Sequence, residues 1–92
     1  MKVAFDTAKS DRNAAERGLP FSMVAEFDWS SASIVEDDRK DYGERRFVAL
    51  GFIAGRLHVV CFTPIENGIR VISFRKANER EVGRYERKTA HR

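Results

Sequence analysis

The sequence predicts an α+β fold in which N-terminal helices pack on an antiparallel β-sheet and a C-terminal helix follows, with the helices on one face of the sheet. Turn signals at Ala54-Gly55 and Pro64–Gly68 separate three apolar runs and predict a meander of strands joined by short connections. The run Phe47–Ile53 is apolar on both parities, which favours an interior strand covered on each side. N-cap signals at Asp6 and Asn78 predict helices before and after the sheet.

The N-terminal third predicts a short strand and two helices. Residues Met1–Phe5 are typical of a short strand. The first helix is predicted from the cap at Asp6 to about Arg17, where Gly18 closes it. Pro20 suits the first turn of a second helix. The predicted apolar face of that helix consists of Phe21, Val24 and Ala25.

The rest of the chain predicts four strands and a last helix. The strands are expected at Ala32–Glu36, Arg46–Ile53, Arg56–Thr63 and Ile69–Arg75, with a charged loop at Asp37–Gly43 after the first. The last helix, Glu79–Lys88, has Val82 and Tyr85 as its apolar positions, and Gly83 costs it about 1 kcal/mol relative to alanine. Such a helix must dock on the sheet or on a partner.

Length and composition bound the class of protein. Ninety-two residues predict one domain, residues 1–92, and 42% hydrophobic residues with seven Phe can build a core. No apolar run reaches the roughly 20 residues of a membrane span, and no basic-then-apolar leader opens the chain. The single cysteine, Cys61, is expected to be a reduced core residue. We therefore expect a cytoplasmic protein without a membrane partner.

The charges are segregated along the chain. Residues 26–44 hold seven acids and two cations, whereas residues 69–92 hold eight cations and three acids. The basic end predicts a footprint for a phosphate backbone or an acidic protein. The acidic stretch is interpreted instead as a flexible loop that keeps the fold soluble.

The segment Arg70–Ala77 is the most informative part of the basic end. Strand alternation predicts Ile69, Val71, Ser73 and Arg75 on one side and Arg70, Ile72, Phe74 and Lys76 on the other. The segment runs into a helix start at Asn78, so three cations, Arg70, Arg75 and Lys76, are expected beside a helix N-terminus. That arrangement predicts a seat for a phosphate group. The alternative is a solvated basic strand end.

Several kinds of chemistry are excluded. One cysteine, His58 and His91 cannot form a closed zinc site, and His91 is expected to fray as the penultimate residue. The acids Asp37 and Asp38 are expected to be solvated. No glycine-rich phosphate loop precedes a helix, and Ser73 has no evident activating histidine. We therefore expect no cofactor, and either metal-free chemistry or none.

Three motifs, taken together, resemble the BrnT family of type II toxins. The opening residues resemble the family pattern W-D-x-x-K-x-x-x-N-x-x-K-H-G-V-x-F through Phe5-Asp6-Thr7-Ala8-Lys9, Asn13, Arg17-Gly18-Leu19 and Phe21. The middle residues Gly43-Glu44-Arg45-Arg46-Phe47 and Gly51 resemble its G-E-x-R segment and the glycine that follows. The segment Arg70–Ala77 resembles R-I-I-S-A-R-K-A, and Tyr85 falls where the last helix of the family carries a tyrosine.

The resemblance implies a ribonuclease toxin with a RelE-like fold that inhibits translation. It also implies an antitoxin encoded beside it, which neutralises the toxin and represses the operon through its own DNA-binding domain. The chain departs from the family at Arg17, where a histidine is usual, and at Pro64–Gly68, where an arginine is frequent. Arginine cannot replace histidine as an acid or base near neutral pH. The alternative function is therefore a non-catalytic homologue that acts as a binding module for a DNA-binding antitoxin.

Metal-free RNA cleavage requires a base for the ribose 2′-OH, cations for the charge on the phosphate, and an acid for the leaving oxygen. The predicted catalytic residues are Glu44, Arg46, Arg70, Arg75 and Tyr85. The predicted RNA-binding residues are Lys9, Arg17, His58 and Lys76.

Each of these assignments has a structural alternative. The arginines can pair with Glu44 or with the acidic loop, and an arginine cluster would lower the pKa of Glu44 and make it an anchor rather than a base. His58 can be a hydrogen-bonded core residue, and Tyr85 can dock its helix. Asn13 is expected to brace a loop.

We further expect an acidic, amphipathic antitoxin segment to cover the basic site and order the last helix.

Overall fold

The computed structural model describes residues 1–90, which form a five-stranded sheet with helices on both faces. The strands are β1 (Lys2–Ala4), β2 (Ser33–Glu36), β3 (Phe47–Ile53), β4 (Arg56–Ile65) and β5 (Gly68–Lys76). The α-helices are α1 (Thr7–Arg17) and α2 (Glu79–Thr89), and two 3₁₀ segments occupy Phe21–Glu26 and Trp29–Ser31. His91, which was expected to fray, lies outside the described residues.

The strand order is β1-β5-β4-β3-β2. Strands β2 to β5 pair antiparallel in sequence order, and β1 adds to the β5 edge in parallel. The predicted α+β class and the four-stranded meander are confirmed, and the arrangement is consistent with a RelE-like fold. The interior position of β3, between β2 and β4, is also confirmed.

Local signals position α1 as predicted. The side chain of Asp6 accepts a hydrogen bond from the Lys9 backbone N–H at 3.1 Å and so caps the first turn. Gly18 adopts a left-handed conformation (φ +71°), and its N–H donates to the Ala14 carbonyl. Asn13 donates to the carbonyls of Leu19 at 2.7 Å and Phe74 at 2.9 Å, which ties α1 to the following loop and to β5. The expected bracing role of Asn13 is confirmed.

The second predicted helix is a 3₁₀ segment instead of an α-helix. A 3₁₀-helix has three residues per turn, so side chains three positions apart lie on one face. Phe21, Val24 and Phe27 accordingly point into the core, and Ala25 is exposed. The prediction that Ala25 lies on the apolar face is therefore wrong, because it assumed a period of 3.6 residues.

The sheet buries apolar side chains on both faces. The first core joins the 3₁₀ segment to one face and includes Phe21, Val24, Phe27, Ala49, Val60, Phe62, Val71 and Phe74. The second core joins α2 to the opposite face and includes Leu57, Val59, Ala77 and Tyr85, with Val48, Leu50, Phe52 and Val82 packed against it. The prediction of helices on one face is thus wrong, since both parities of β3 and β4 are apolar and each needs a cover. The apolar stripe of α2 is covered by the sheet, so ordering this helix does not require an antitoxin.

Gly51 marks the closest approach between the first core and β3. A Cβ atom built there would lie 2.5 Å from Cζ of Phe27. The absence of a side chain at this position lets the Phe27 ring lie against the sheet. Cys61, expected in the core, is half-buried on the face that α2 partly covers.

A β-bulge in β5 changes which residues share a face. Cys61 pairs with Ser73 whereas Phe62 pairs with Val71, so Ile72 is an extra residue on β5. Val71 and Phe74 consequently both point into the first core. The predicted alternation holds as far as Val71 and is wrong beyond it, because the extra residue reverses the parity and turns Arg75 toward α2.

The two hairpin turns differ in how well they were predicted. Ala54 (φ +48°) and Gly55 (φ +78°) form the first turn, as expected. The second turn consists of Glu66 and Asn67 alone, since Pro64 and Ile65 still pair with β5. Pro64 is tolerated in the strand because β3 pairs with β4 only as far as Phe62, so its missing N–H removes no bond to β3.

Candidate active site

Three of the predicted catalytic residues meet at one end of the sheet, on the face that carries α2. Glu44 accepts hydrogen bonds from Nη2 of Arg70 at 2.7 Å and from Nε of Arg46 at 3.2 Å. The guanidinium of Arg46 also stacks on the ring of Tyr42, with Cζ 4.3 Å from the ring centroid. We call Tyr42, Glu44, Arg46 and Arg70 the arginine cluster.

The arginine cluster lowers the pKa of Glu44. The hydrogen bond from Arg70 is the main cause, and the bond from Arg46 adds to it, while partial burial opposes both. The Glu44 carboxylate is therefore ionised and weakly basic while both arginines hold it. This is the electrostatic behaviour expected of the anchor alternative.

A buried hydrogen bond fixes the segment that carries the cluster. Oγ1 of Thr63 on β4 donates to the backbone carbonyl of Arg45 at 2.6 Å. The side chain of Arg45 itself makes two 3.0 Å hydrogen bonds to Glu36 and takes no part in the cluster. Adjacent arginines therefore have different partners, as successive residues of an extended chain point in opposite directions.

Arg75 lies at the start of α2 in a bidentate ion pair with Glu81, at 2.7 and 2.8 Å. Oε1 of Glu81 also accepts from the Asn78 backbone N–H at 3.0 Å, and the Asn78 side chain accepts from the Glu81 N–H at 2.8 Å, which completes a capping box. Chiefly through Arg75, and then through the Asn78 N–H, the pKa of Glu81 falls to about 2.

The predicted phosphate seat at this helix terminus is wrong in its composition. Of the three cations expected there, Arg70 bonds to Glu44 and Arg75 bonds to Glu81, while Lys76 is exposed at the end of β5. The Glu81 carboxylate takes the position expected for a phosphate group. The bulge in β5 turns Arg75 toward α2, and the capping box supplies the anion.

A cleft of about 580 Å³ lies between α2 on one side and β2 with the loop after it on the other. Its apolar floor consists of Val48, Leu50, Val59 and Cys61. Its walls are Arg75, Glu81, Arg84, Tyr85 and Lys88 on one side and Ser33, Val35, Glu36, Asp37, Asp38 and Arg39 on the other. We call this feature the α2 cleft.

The loop after β2 connects the arginine cluster to the α2 cleft. Asp37 accepts from Nε of Arg39 at 2.8 Å, from Nη2 of Arg39 at 2.9 Å, and from the Tyr42 hydroxyl at 3.0 Å. Its side chain is only 9% exposed, so the prediction that Asp37 is solvated is wrong, whereas Asp38 is exposed. Arg39 holds the pKa of Asp37 well below its usual range. Sequence reasoning missed Arg39 and Tyr42, although Tyr42 directly precedes the G-E-x-R motif.

Tyr85 and His58 are both buried, on opposite faces of the sheet. The Tyr85 hydroxyl donates to the Ser31 carbonyl at 2.7 Å, and its ring packs edge-to-face on Phe52. His58 stacks on Phe74, with Nδ1 2.7 Å from the Arg56 carbonyl oxygen, and burial lowers the pKa of its imidazole. These surroundings are those of the docking and core alternatives.

The remaining predicted RNA-binding residues lie away from the arginine cluster. Lys9 and Arg17 border a shallow depression of about 210 Å³ on α1, together with Arg12, Asn13, Glu16 and residues Ile72 and Ser73 of β5. Lys76 is exposed at the end of β5. The structure thus brings together Glu44, Arg46 and Arg70, and places Arg75 and Tyr85 along the α2 cleft.

Residues 1–90 hold neither a metal-ligand cluster nor a membrane-spanning helix. Within this range, no cluster of three or more His, Cys, Asp or Glu side chains is arranged to hold a metal ion. None of the helices there is long and apolar enough to cross a membrane.

Comparison with known families gives one match. Residues 5–81 match the family described as "Ribonuclease toxin, BrnT, of type II toxin-antitoxin system". The matched range includes α1, strands β2 to β5 and the capping box of α2. No curated protein and no solved structure matches the chain significantly.

Proposed function

Since the chain belongs to the BrnT family of ribonuclease toxins of type II toxin–antitoxin systems, we propose that it cleaves RNA without a metal ion and thereby inhibits translation. The arginine cluster holds the scissile phosphate in this proposal. The observation that carries it is the pair of guanidinium groups on Glu44, at 2.7 and 3.2 Å.

The two arginines retain hydrogen-bonding capacity for a phosphate. A guanidinium has five N–H donors, and the Glu44 carboxylate takes one from Arg46 and one from Arg70. Both side chains are partly exposed, so a phosphate can approach from solvent. Planar guanidinium groups bind phosphate oxygens in pairs and stabilise the charge that develops on them during attack.

In this mechanism, substrate binding makes Glu44 basic enough to act as the general base. A phosphate group competes with Glu44 for Arg70, and the loss of that hydrogen bond lets the pKa of Glu44 rise toward its ordinary value. Glu44 then accepts the proton of the ribose 2′-OH as the 2′-oxygen bonds to phosphorus. The bond from phosphorus to the 5′-oxygen breaks, and that oxygen takes a proton from solvent water, which leaves a 2′,3′-cyclic phosphate and a 5′-hydroxyl.

The other predicted site residues bind or position RNA in this proposal. Arg75 contacts a flanking phosphate from the α2 cleft, and Tyr85 holds the cleft wall through Ser31. Lys9 and Arg17 add basic surface beside α1, and Lys76 adds a cation at the exposed end of β5. His58 supports β5 by packing on Phe74.

A toxin of this class has a cognate antitoxin. We propose that the antitoxin is encoded beside this chain and that the complex represses its own operon through a DNA-binding domain of the antitoxin. The test is co-purification of the chain with the product of the neighbouring gene.

Induction of the gene alone in a bacterium tests the toxin function. Growth arrest with RNA decay is expected, and the purified chain should cleave RNA equally well in EDTA. Cleavage that stops in EDTA and returns with a divalent ion would contradict the metal-free mechanism.

Glu44→Gln should abolish cleavage, whereas Glu36→Gln, which removes a carboxylate bound only to Arg45, serves as the matched control.

A second function, a non-catalytic binding module for the antitoxin, is favoured by one observation. Four carboxylates hydrogen-bond to arginine around these sites, and each has a lowered pKa: Glu36, Asp37, Glu44 and Glu81. A lowered pKa makes a carboxylate a weaker base, as expected of a structural anchor. Arg17 in place of the family histidine also favours the binding module, because arginine cannot act as an acid or base near neutral pH. Normal growth after induction of folded protein, with the antitoxin complex intact, would support the module.

A further inference from the structure

We propose that the free edge of β2 and the adjoining α2 cleft form the surface on which the antitoxin adds a β-strand to the sheet. The inference rests on the toxin function proposed above, which supplies the partner. It concerns where the partner binds, and it assigns the occupant an extended segment with alternating apolar residues and at least one carboxylate.

The pairing of β2 with β3 shows which backbone groups are free. The Asp37 N–H donates to the Arg46 carbonyl at 2.8 Å, in the same register that pairs Val35 with Val48 and Ser33 with Leu50. Hydrogen-bonded positions alternate along an antiparallel strand. The N–H and C=O groups of Ile34 and Glu36 therefore point away from β3, at the edge of the sheet.

The side chains of β2 are unusually apolar for an edge strand. Ile34 is 46% exposed and Val35 is 56% exposed, and among residues 1–90 the only other exposed large hydrophobic residue is Met1. Edge strands usually carry lysine or proline, or are covered by another element, which prevents their free backbone groups from pairing with another chain. The opposite edge, β1, carries Lys2, but β2 carries neither lysine nor proline. We infer that a partner covers this edge.

The α2 cleft determines the charge of the partner. Its floor continues from Val35 to Val48 and Leu50 and can accept apolar side chains of an added strand. On the facing wall, Arg84 and Lys88 form no ion pair among the described residues, whereas Glu36 and Asp37 are already paired with Arg45 and Arg39. Among the described residues, the unpaired wall charges are those of Arg84 and Lys88 against that of Asp38, which leaves a net positive charge. An acidic partner is therefore favoured over a second copy of the chain.

Amide hydrogen exchange of the full chain, free and with its antitoxin, tests the strand addition. The amides of Ile34 and Glu36 should exchange quickly in the free chain and at least about tenfold more slowly in the complex, while Lys2 on the β1 edge should be unchanged. A complex that forms without protecting Ile34 and Glu36 overturns the docking surface and leaves the toxin function standing. Failure to form any complex counts against the toxin–antitoxin function itself.

Charge reversal tests the cleft. Arg84→Glu with Lys88→Glu should weaken antitoxin affinity by about tenfold or more. The matched control is Arg80→Glu with Arg87→Glu on the exposed side of α2, which changes the net charge equally and should keep affinity within about threefold. Equal weakening by both pairs, or no weakening, overturns the proposal. So does a stable dimer of the chain alone that protects Ile34 and Glu36 and is not displaced by the antitoxin.

Discussion

At the residue scale, arginines that look alike in the sequence have different surroundings. Arg70 shares the Glu44 carboxylate with Arg46, whereas Arg45 pairs alone with Glu36 in a solvated position. An exposed ion pair contributes little to the free energy of unfolding, so the proposed role of Arg70 is to bind the phosphate of RNA and not to stabilise the fold.

This difference predicts the outcome of two alanine substitutions. Arg70→Ala should reduce RNA cleavage by about 100-fold, and it should change the free energy of unfolding by less than about 1 kcal/mol. Arg45→Ala is the matched control and should leave cleavage intact. The measurements are cleavage of a labelled RNA and thermal unfolding. Equal losses of activity in both variants, or a loss of stability in Arg70→Ala that accounts for its loss of activity, would contradict a phosphate-binding role.

Tyr85 gives the second residue-scale prediction. Its buried hydroxyl donates to the Ser31 carbonyl, so Tyr85→Phe should cost about 1 kcal/mol of unfolding free energy while the ring packing on Phe52 persists. Because the hydroxyl is occupied by the backbone, cleavage should remain near that of the unchanged chain. Chemical denaturation and the RNA assay measure both effects. A cleavage loss of about 100-fold in the folded variant would assign the hydroxyl to the reaction instead.

At the element scale, the N-terminus of α2 depends on the Arg75–Glu81 pair. The pKa of Glu81 is about 2 in the folded chain, below its ordinary value of 4.5. A carboxylate with a lowered pKa contributes stability above pH 4.5 and loses it as the pH falls toward 2. Glu81→Gln should therefore lower the thermal midpoint most near neutral pH, and the difference from the unchanged chain should shrink between pH 4.5 and 2. Glu79→Gln, on the exposed first turn, should have a smaller effect, and an equal effect would argue against the pair.

Two glycines should respond oppositely to alanine because of the elements that carry them. Gly83 lies within α2, where an added Cβ would lie 3.3 Å from the flexible end of Arg87. Gly83→Ala should stabilise the chain by up to about 1 kcal/mol. Gly51→Ala should destabilise it by about 1–3 kcal/mol, because the new Cβ meets the Phe27 ring at 2.5 Å. Denaturant midpoints test the pair, and the same sign for both would contradict the packing described.

At the scale of the whole molecule, the sheet is covered on both faces by different segments. Among residues 1–90, α2 covers the second core through Tyr85 and Val82. Deletion of residues 79–92 should therefore expose Leu57, Val59 and Phe52, lower the thermal midpoint strongly and increase the binding of a hydrophobic dye. A truncated chain that unfolds cooperatively at the original midpoint would contradict this packing. Because truncation disturbs the fold, the charge-reversal variants of α2 are the better probe of antitoxin docking.

The sequence by itself determined the features that depend on neighbouring residues. The caps at Asp6 and Asn78, the left-handed Gly18, the turn at Ala54-Gly55 and the order of the meander were all correctly predicted. These features depend on backbone conformation and side chains within about four positions. The motifs around Glu44 and Arg70 also identified the family that the chain matches over residues 5–81.

Only the tertiary structure decided which side chains meet. The extra residue at Ile72 reverses the parity of β5 and places Arg75 on the same face as Arg70, where the two arginines bind carboxylates six and 26 positions away in the chain. Likewise, Tyr85 finds its acceptor at Ser31, 54 residues earlier, because α2 covers the second face of the sheet. Bulges and ion pairs of this kind arise from competition among distant partners for the same space and charge, and no short stretch of sequence contains that competition.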